Sequence, residues 1–311
     1  MSQLVMSTNT IADITSNADE ILRHNGKSFH WARQFLGAEV GTKAARLYAF
    51  CRLMDDLADG DIENGPARLA KIRDRLAGDT HVSDPALDAF LPFMVENQLP
   101  KRPLKHLIDG LLMDQGHVAI VDEAELVQYG YHVAGTVGLL MTPLLGCTDR
   151  KAHAHALDLG IGMQLTNIAR DVLEDAHMGR RYLPASWVGG MSAADISAAA
   201  LDPQGRDAVI IADAIDRVLA LADRYYESGL LGLGALPFRA RVAIAVAGSV
   251  YRQIGVQLQN QGTNWHAGRT VTSAATKAHV TMLSLPLILR RHLPDWHETA
   301  LHAPLLPEMR P

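Results

Sequence analysis

The sequence predicts an all-α fold in a single domain, and three observations predict it. Aromatic residues make up only 5% of the chain while alanine and leucine recur throughout. Sustained period-two runs of β-branched residues are lacking. Apolar positions fall on helical stripes instead, separated by Gly and Pro punctuation.

Helices are predicted over 18–36, 42–59, 65–77, 85–97, 103–117, 123–145, 149–177, 205–230, 237–261 and 273–291. The breaks between them carry Gly60, Gly78, Pro100, Gly146, Pro184, Gly189-Gly190 and Pro203. The stretch from Arg180 to Gln204 reads as the longest irregular segment, of the kind that is often functional. Hydrophobic residues at 48% and charged residues at 20% supply a sizeable core. No composition shift, polar linker or fixed-period repeat divides the chain. Residues 1–311 therefore read as one domain, with irregular tails expected over 1–17 and 293–311.

Bulk properties exclude several functions. A formal charge of −5, from 29 basic and 34 acidic residues, and the lack of a basic run argue against nucleic acid. Cys51 and Cys147 stand in no CxxC or Cys/His motif, so two buried free thiols are expected, with no zinc site and no disulfide. His153 and His155 are not four apart, which also speaks against a zinc pair. His279, His292, His297 and His302 are expected at the surface. The first residues lack a basic region followed by an apolar core, and no apolar run approaches the ~20 residues that span a bilayer. A cytoplasmic protein is expected, with peripheral contact to the inner face of the membrane left open.

Two segments carry the chemistry. In LYAFCRLMDDLADGD, 47–61, Tyr48, Arg52, Asp55 and Asp59 share one helical stripe. Asp56 falls off it, and Leu47, Phe50, Met54, Leu57 and Ala58 form a separate apolar stripe. Acid at a helix C-terminus is unfavourable against the macrodipole, a cost that a bound cation would relieve. In GMQLTNIARDVLEDAHMGRRYLP, 162–184, Gln164, Asn167, Asp171 and Asp175 form a second polar stripe. It lies beside the apolar stripe of Leu157, Ile161, Leu165, Ile168 and Val172, which points to a cleft edge. Glu174 points elsewhere.

Two Asp-x-x-x-Asp pairs suit magnesium, which takes a few carboxylates, keeps waters and uses substrate phosphates as its remaining ligands. Facing carboxylates would repel a diphosphate unless metal ions sat between them. The constellation suits ionisation of an allylic diphosphate. Arg52, Arg180 and Arg181 are candidate phosphate contacts.

On these motifs the chain resembles the squalene/phytoene synthase family. Residues 47–59 look like its first aspartate motif and 164–184 like its second. YGYHVAGTVGLLMTPLLG at 129–146 resembles its Val-Ala-Gly-Thr-Val-Gly segment, and Lys27-Ser28-Phe29 its Ser-Phe signature. The resemblance covers about 24–290. It implies an isoprenoid-synthase helical bundle with a central cavity. It places Asp55, Asp59, Asp171 and Asp175 as magnesium ligands, with manganese a substitute, and Tyr48, Arg52, Tyr129 and Tyr251 in the reaction region. Ser28, Phe29, Val133, Gly135, Gly138, Gln164, Asn167, Arg180, Arg181 and Arg269 fall to substrate binding. Asp109 and Asp114 match further family acids expected to be structural or part of a polar network.

YRQIGVQLQNQG at 251–262, with Arg269, Thr272-Ser273 and Lys277, is similar to the bacterial phytoene synthases of that family. The implied reaction is head-to-head condensation of two geranylgeranyl diphosphates through a cyclopropylcarbinyl diphosphate, without NADPH. The implied partners are the prenyl diphosphates and a membrane-associated desaturase that receives the product. A farnesyl-using dehydrosqualene or squalene synthase is the alternative within the family. A catalytically silent prenyl-binding protein is the alternative outside catalysis, and the four aspartates argue against it.

Overall fold

The computed structural model describes residues 17–116 and 118–311. The chain runs through α1 (Ala18–Asn25), α2 (Lys27–Arg33), α3 (Ala38–Ala58), α4 (Gly65–Ala77), α5 (Pro85–Glu96), α6 (Lys101–Met113) and α7 (Glu123–Gly130). A π-helical turn (Tyr131–Gly135) joins α7 to α8 (Thr136–Leu144). Then come α9 (Ala152–Arg170), α10 (Val172–His177), α11 (Ala193–Ala199), α12 (Arg206–Leu231), α13 (Phe238–Asn260), α14 (Ala274–Leu283) and α15 (Leu285–Ile288). Among the described residues, β structure is limited to one isolated bridge between Ala119 and Arg181. The expected all-α class is the observed one. The tail expected over 1–17 lies, up to residue 16, outside the described residues.

Local chemistry sets the boundaries. Helix α5 begins where the Asp84 side chain accepts from the Ala86 amide at 2.9 Å, with Pro85 at the first position, where no amide is needed. Helix α11 lies inside the stretch expected to be irregular. A capping box explains it: Ser192 Oγ accepts from the Asp195 amide, and the Asp195 carboxylate accepts from the Ser192 amide. Three long predicted helices are interrupted: 18–36 at Gly26, 149–177 at Asp171, and 273–291 at Ser284 ahead of Pro286. The 123–145 stretch widens into its π turn, where His132 Nδ1 bonds the His106 carbonyl at 2.8 Å.

Helix α9 runs through the middle and packs along α12. The approach is close because glycine permits it. A Cβ on Gly229 would lie 2.7 Å from Leu159 Cβ, and one on Gly160 would lie 2.3 Å from the Ala134 carbonyl oxygen. The predicted apolar stripe of α9, Leu157, Ile161, Leu165 and Ile168, is buried there. A second core joins Leu47, Phe50, Met54 and Leu57 of α3 to α4–α6, with Phe50 stacked on Phe90 at 3.8 Å. Between these cores lies a cavity of about 380 Å³ whose walls draw on both.

The C-terminal segment, expected to be an irregular tail, is a packed strap. Its two 3₁₀ turns, Thr299–His302 and Pro307–Met309, bury Leu301 and Met309 in the main core, and Leu305 between them is buried there too. Tyr225 Oη donates to the Leu301 carbonyl at 2.7 Å, and Gln128 Nε2 to that of Pro304 at 2.8 Å. His297 and His302, expected at the surface, instead reach Asp158 of α9, each through Nε2 at 2.7 Å. Ser228 Oγ donates to the same carboxylate at 2.5 Å. Asp158 is fully buried, and a buried charge of this kind must be paired. Burial pushes its carboxyl up, but the bonds from His297, His302 and Ser228 outweigh that and hold it below the usual value. The sequence gives no hint of the pairing, since the partners are 139 and 144 residues away.

Asp158→Asn exchanges an acceptor for a donor facing a histidine N–H. It is expected to cost about 3 kcal/mol, read from denaturant unfolding, because it breaks a buried charged network. A change below about 0.5 kcal/mol, the scale of ordinary surface substitutions, would show the strap is held by its apolar contacts alone. His155, whose Nδ1 bonds the Ser228 carbonyl at 2.8 Å, is driven toward its neutral form by burial. The unfolded chain takes up that proton below about pH 6.5, so stability is lost as pH falls through that range. His155→Gln is expected to flatten the pH dependence of Tm between pH 5 and 6.5.

Candidate functional site

Asp55 lines the cavity, and further acids gather beside it. Asp55 lies in the last turn of α3, and Asp59 caps that helix, which has no basic residue in its last turn. Asp171 stands at the break between α9 and α10, and Asp175 lies on α10. Asp114 caps α6, again with no basic residue in its last turn. The ends of α3 and α6 thus carry negative charge against their own dipoles, whereas Asp171 and Asp175 stand at the start of α10, where the dipole favours it.

Arginines supply the balance. Arg180 donates to Asp59 Oδ1 at 2.8 Å. Arg170 grips Asp171 at 2.6 and 2.5 Å, and Arg269 approaches the same carboxylate at 3.0 Å. Arg52 pairs with Asp56, one turn on, at 2.6 Å. The arginines do not balance every acid. Burial, with Asp56, Asp59 and Asp114 nearby, lifts the Asp55 carboxyl to about 7 against the pull of Arg52. Burial and Asp171 lift Asp175 to about 7, although Arg180 opposes the rise. Burial lifts Asp114 to about 6, although the Tyr129 hydroxyl donates to it at 2.8 Å.

Asp114 therefore faces both predicted aspartate pairs, since its charge is felt at Asp55 and at Asp175. Of the structural and polar-network roles expected for it, its bond from Tyr129 and its acidic neighbours fit the polar network. Its signal was available in the sequence, because acid at a helix C-terminus is the anomaly that marked Asp55 and Asp59. Asp109, by contrast, is occupied by Lys105 one turn away at 2.6 Å. Arg170 and Tyr182 also escaped the sequence reading. Tyr182 stacks on Tyr129 at 4.7 Å and backs the Asp114 contact.

The predicted site residues fall into groups. Phe29, Tyr48, Val133, Gly138, Gln164, Asn167 and Tyr251 line the cavity. Phe29 and Tyr251 lie ring to ring at 4.8 Å. Arg180 and Arg269 sit on the aspartates. Tyr129 is buried behind Asp114. Gly135 packs on Leu157 and Ile161 of α9, and Ser28 is half-buried beside the wall. Arg181 turns away: its buried guanidinium donates to the carbonyls of Ile120 and Leu183 at 2.6 and 2.5 Å, which fixes the loop after α10. Cys51 and Cys147 are free, as expected, but half-buried in the cavity wall.

The donors present fit a hard divalent cation. They are all oxygens, and Asn167 Oδ1 is buried at the cavity wall with no hydrogen-bond partner. Among the described residues, no three of these carboxylates come within 4.8 Å of one another; the trio that does is His155, Asp158 and His297 of the strap.

Residues 22–282 match the family described as squalene/phytoene synthase. The chain is 35% identical over 266 residues to a 15-cis-phytoene synthase of Enterobacter agglomerans, which covers 81% of this chain and 88% of that one. It is 34% identical to a 15-cis-phytoene synthase of Pantoea ananas, over 84% of this chain and 87% of that one. Its fold matches the crystal structure of a dehydrosqualene synthase with a TM-score of 0.74 and 26% identity, over 88% of this chain and 96% of that one. A squalene synthase from Alicyclobacillus acidocaldarius, 23% identical with a TM-score of 0.67 over 82% of this chain and 96% of that one, shares the fold.

A carboxyl held at about 7 in the fold titrates near 3.9 once unfolded. Folding takes up protons between those values, so stability is lost as pH rises through 7. Asp55→Asn and Asp175→Asn are each expected to raise the Tm of the ligand-free protein at pH 8 by a few degrees. The gap should narrow as pH falls below 7 and close near pH 4. Melts in which both variants match or fall below the wild type at pH 8 would show that the arginines already neutralise the cluster.

Proposed function

The chain belongs to the squalene/phytoene synthase family, and we propose that it condenses two geranylgeranyl diphosphates head to head into phytoene, a step of carotenoid synthesis. One observation carries this reading: a long apolar cavity has Asp55 and Asn167 in its wall, with Asp59 and Asp114 gathered beside Asp55 and Asp171 one turn beyond Asn167. Such a shape takes a prenyl diphosphate with its head among the charges and its tail among the apolar walls.

Asp55 with Asp59, and Asp171 with Asp175, are the proposed magnesium ligands, with manganese a substitute; the metal would supply Lewis-acid stabilisation of the departing diphosphate. Arg180 and Arg269, now paired with Asp59 and Asp171, are placed to turn toward the diphosphate oxygens. As the C1–O bond of the first substrate breaks, its allylic cation forms beside Phe29, Tyr48 and Tyr251, whose ring faces attract positive charge. The double bond of the second substrate attacks that carbon. Loss of a proton closes the cyclopropane and leaves one diphosphate in place. Ionisation of that diphosphate, rearrangement and loss of a second proton give the hydrocarbon.

Burial raises the Tyr48 and Tyr251 hydroxyls, so both hold their protons at neutral pH. The departing diphosphate is then the better proton acceptor. Water is excluded by the apolar walls, which keeps the cations from hydrolysis. No hydride enters this scheme, so NADPH is not required. The dehydrosqualene synthase that the chain matches in fold favours a second reading, in which farnesyl diphosphate undergoes the same two steps.

The product is a hydrocarbon and needs an apolar exit. Met282, Leu283, Leu285 and Leu289 are exposed on α14–α15 and its end, followed by Arg290 and Arg291. No described helix is long and apolar enough to cross a membrane. Apolar residues beside arginines suit peripheral contact with an anionic cytoplasmic leaflet, where a membrane-associated desaturase would receive the product.

Purified protein with magnesium is expected to turn geranylgeranyl diphosphate into a forty-carbon triene without NADPH. Chelation should abolish turnover and added magnesium restore it. Asp55→Asn and Asp171→Asn should each lose at least about 100-fold in kcat/KM while keeping the helical circular dichroism. A thirty-carbon product from farnesyl diphosphate alone would move the protein to the second reading. Full activity in both variants would sink the metal assignment.

A further inference from the structure

Helix α9 lays a ruler along the cavity. Ala152, Ala156, Gly160, Gln164 and Asn167 all face it, at spacings that make one helical stripe. Asn167 stands at the acidic end, one turn from Asp171. At about 1.5 Å per residue, Ala156 lies about 16 Å up the helix from Asn167, and Ala152 about 22 Å.

An isoprene unit adds four chain bonds. That is about 5 Å when extended, on the bond geometry that gives at most about 3.6 Å for a three-bond residue. Three units therefore end near Ala156. A fourth must pass it to reach Ala152. The cavity does continue past that level, walled by Leu145, Cys147, Ala152, Leu233 and Leu236. Chain direction puts them there. Leu145 and Cys147 lead from α8 into the start of α9. Leu233 and Leu236 follow the end of α12, which runs antiparallel to α9: Gly229 meets Leu159, and Gly232 meets His155 one turn further back.

At the level of Ala156 the backbones are already as close as they can come. A Cβ on Gly138 would lie 2.1 Å from the Ala156 carbonyl oxygen. The walls cannot retreat, because α9 is packed on α12 through Gly229 and held from behind by Asp158. Ala156 lines the cavity at this level, so a larger side chain there would narrow this neck of the passage.

We propose that Ala156 is a specificity-determining residue for substrate length: its methyl group leaves the passage through which the fourth isoprene unit reaches the chamber at Cys147 and Ala152. This rests on the head-to-head condensation proposed above. A side chain that fills the neck shortens the acceptable tail to three units without touching the diphosphate end.

The test uses the full chain with magnesium. Wild type, Ala156→Leu and Ala156→Phe are offered farnesyl and geranylgeranyl diphosphate separately, and kcat/KM for hydrocarbon formation is measured for each. The ratio of geranylgeranyl to farnesyl turnover is expected to fall at least tenfold in Ala156→Phe, with Ala156→Leu between it and the wild type. Ala152→Phe, at the far end, should reduce the ratio less. Thermal melts report folding, and Ala156→Val and Ala156→Leu carry the test if the phenylalanine variant does not fold. An unchanged ratio, an equal loss with both substrates in a folded variant, or a wild type that uses farnesyl diphosphate alone would overturn the proposal. A wild type that condenses neither substrate would instead overturn the functional reading beneath it.

Discussion

Helix α9 packs on α12 at a separation that only glycine allows, and it has to satisfy a different neighbour on each side. One stripe buries Leu157, Ile161 and Leu165 in the core. A second lines the cavity from Ala152 to Asn167. A third position, Asp158, takes the C-terminal strap. Moving this helix would open the cavity neck at Ala156, displace Asn167 from the acidic end and strip the partners from a buried carboxylate. Close-packed interiors do not deform by small steps, so the wall of the reaction chamber is as rigid as the core behind it. That rigidity is useful where highly reactive cations must be steered toward one product.

The acidic end follows the opposite logic. Asp55, Asp114 and Asp175 are gathered where burial and mutual repulsion disfavour their charge, and two of the three sit at helix ends whose dipoles add to the cost. Nothing in the stability of the fold asks for this. Arg180, Arg170 and Arg269 offset part of it, and in doing so they stand where diphosphate oxygens would need them. The same guanidinium groups can thus serve carboxylate and phosphate in turn, because both present paired oxygens to a planar fork. Strain that the fold tolerates at this end is relieved by the ions and substrate that the proposed reaction requires.

Legibility in the sequence followed the range of the interaction. The helical class and the buried stripe of α9 came from spacing alone. The two Asp-x-x-x-Asp pairs also stood out, since four residues make one turn. The particular partners of Asp114 were not legible because they come from other helices, although its place at a helix end carried the same anomaly as Asp59. Arg181 was misplaced for a related reason: a guanidinium beside a phosphate-like site resembles a ligand until its carbonyl partners, Ile120 and Leu183, are seen. Helix α11 was missed although Ser192 and Asp195 spell a capping box, because the glycines ahead of it masked the signal. His297 and His302 could not be read at all, since nothing local to a histidine in a proline-rich tail points to a carboxylate 139 or 144 residues away.

The strap and the ruler are two consequences of one placement. Asp158 lies two residues from Ala156 on the same helix, so the two side chains diverge by about 200° and face nearly opposite ways. Binding His297 and His302 on the outer face pins the turn of α9 whose inner face is the cavity neck. Apolar packing resists separation of the helices but is not directional along their axes. A buried bond to a segment far along the chain supplies that direction. Hydrophobic burial thus sets how strongly the helices hold together, and this polar contact sets where along the cavity one turn of α9 stands.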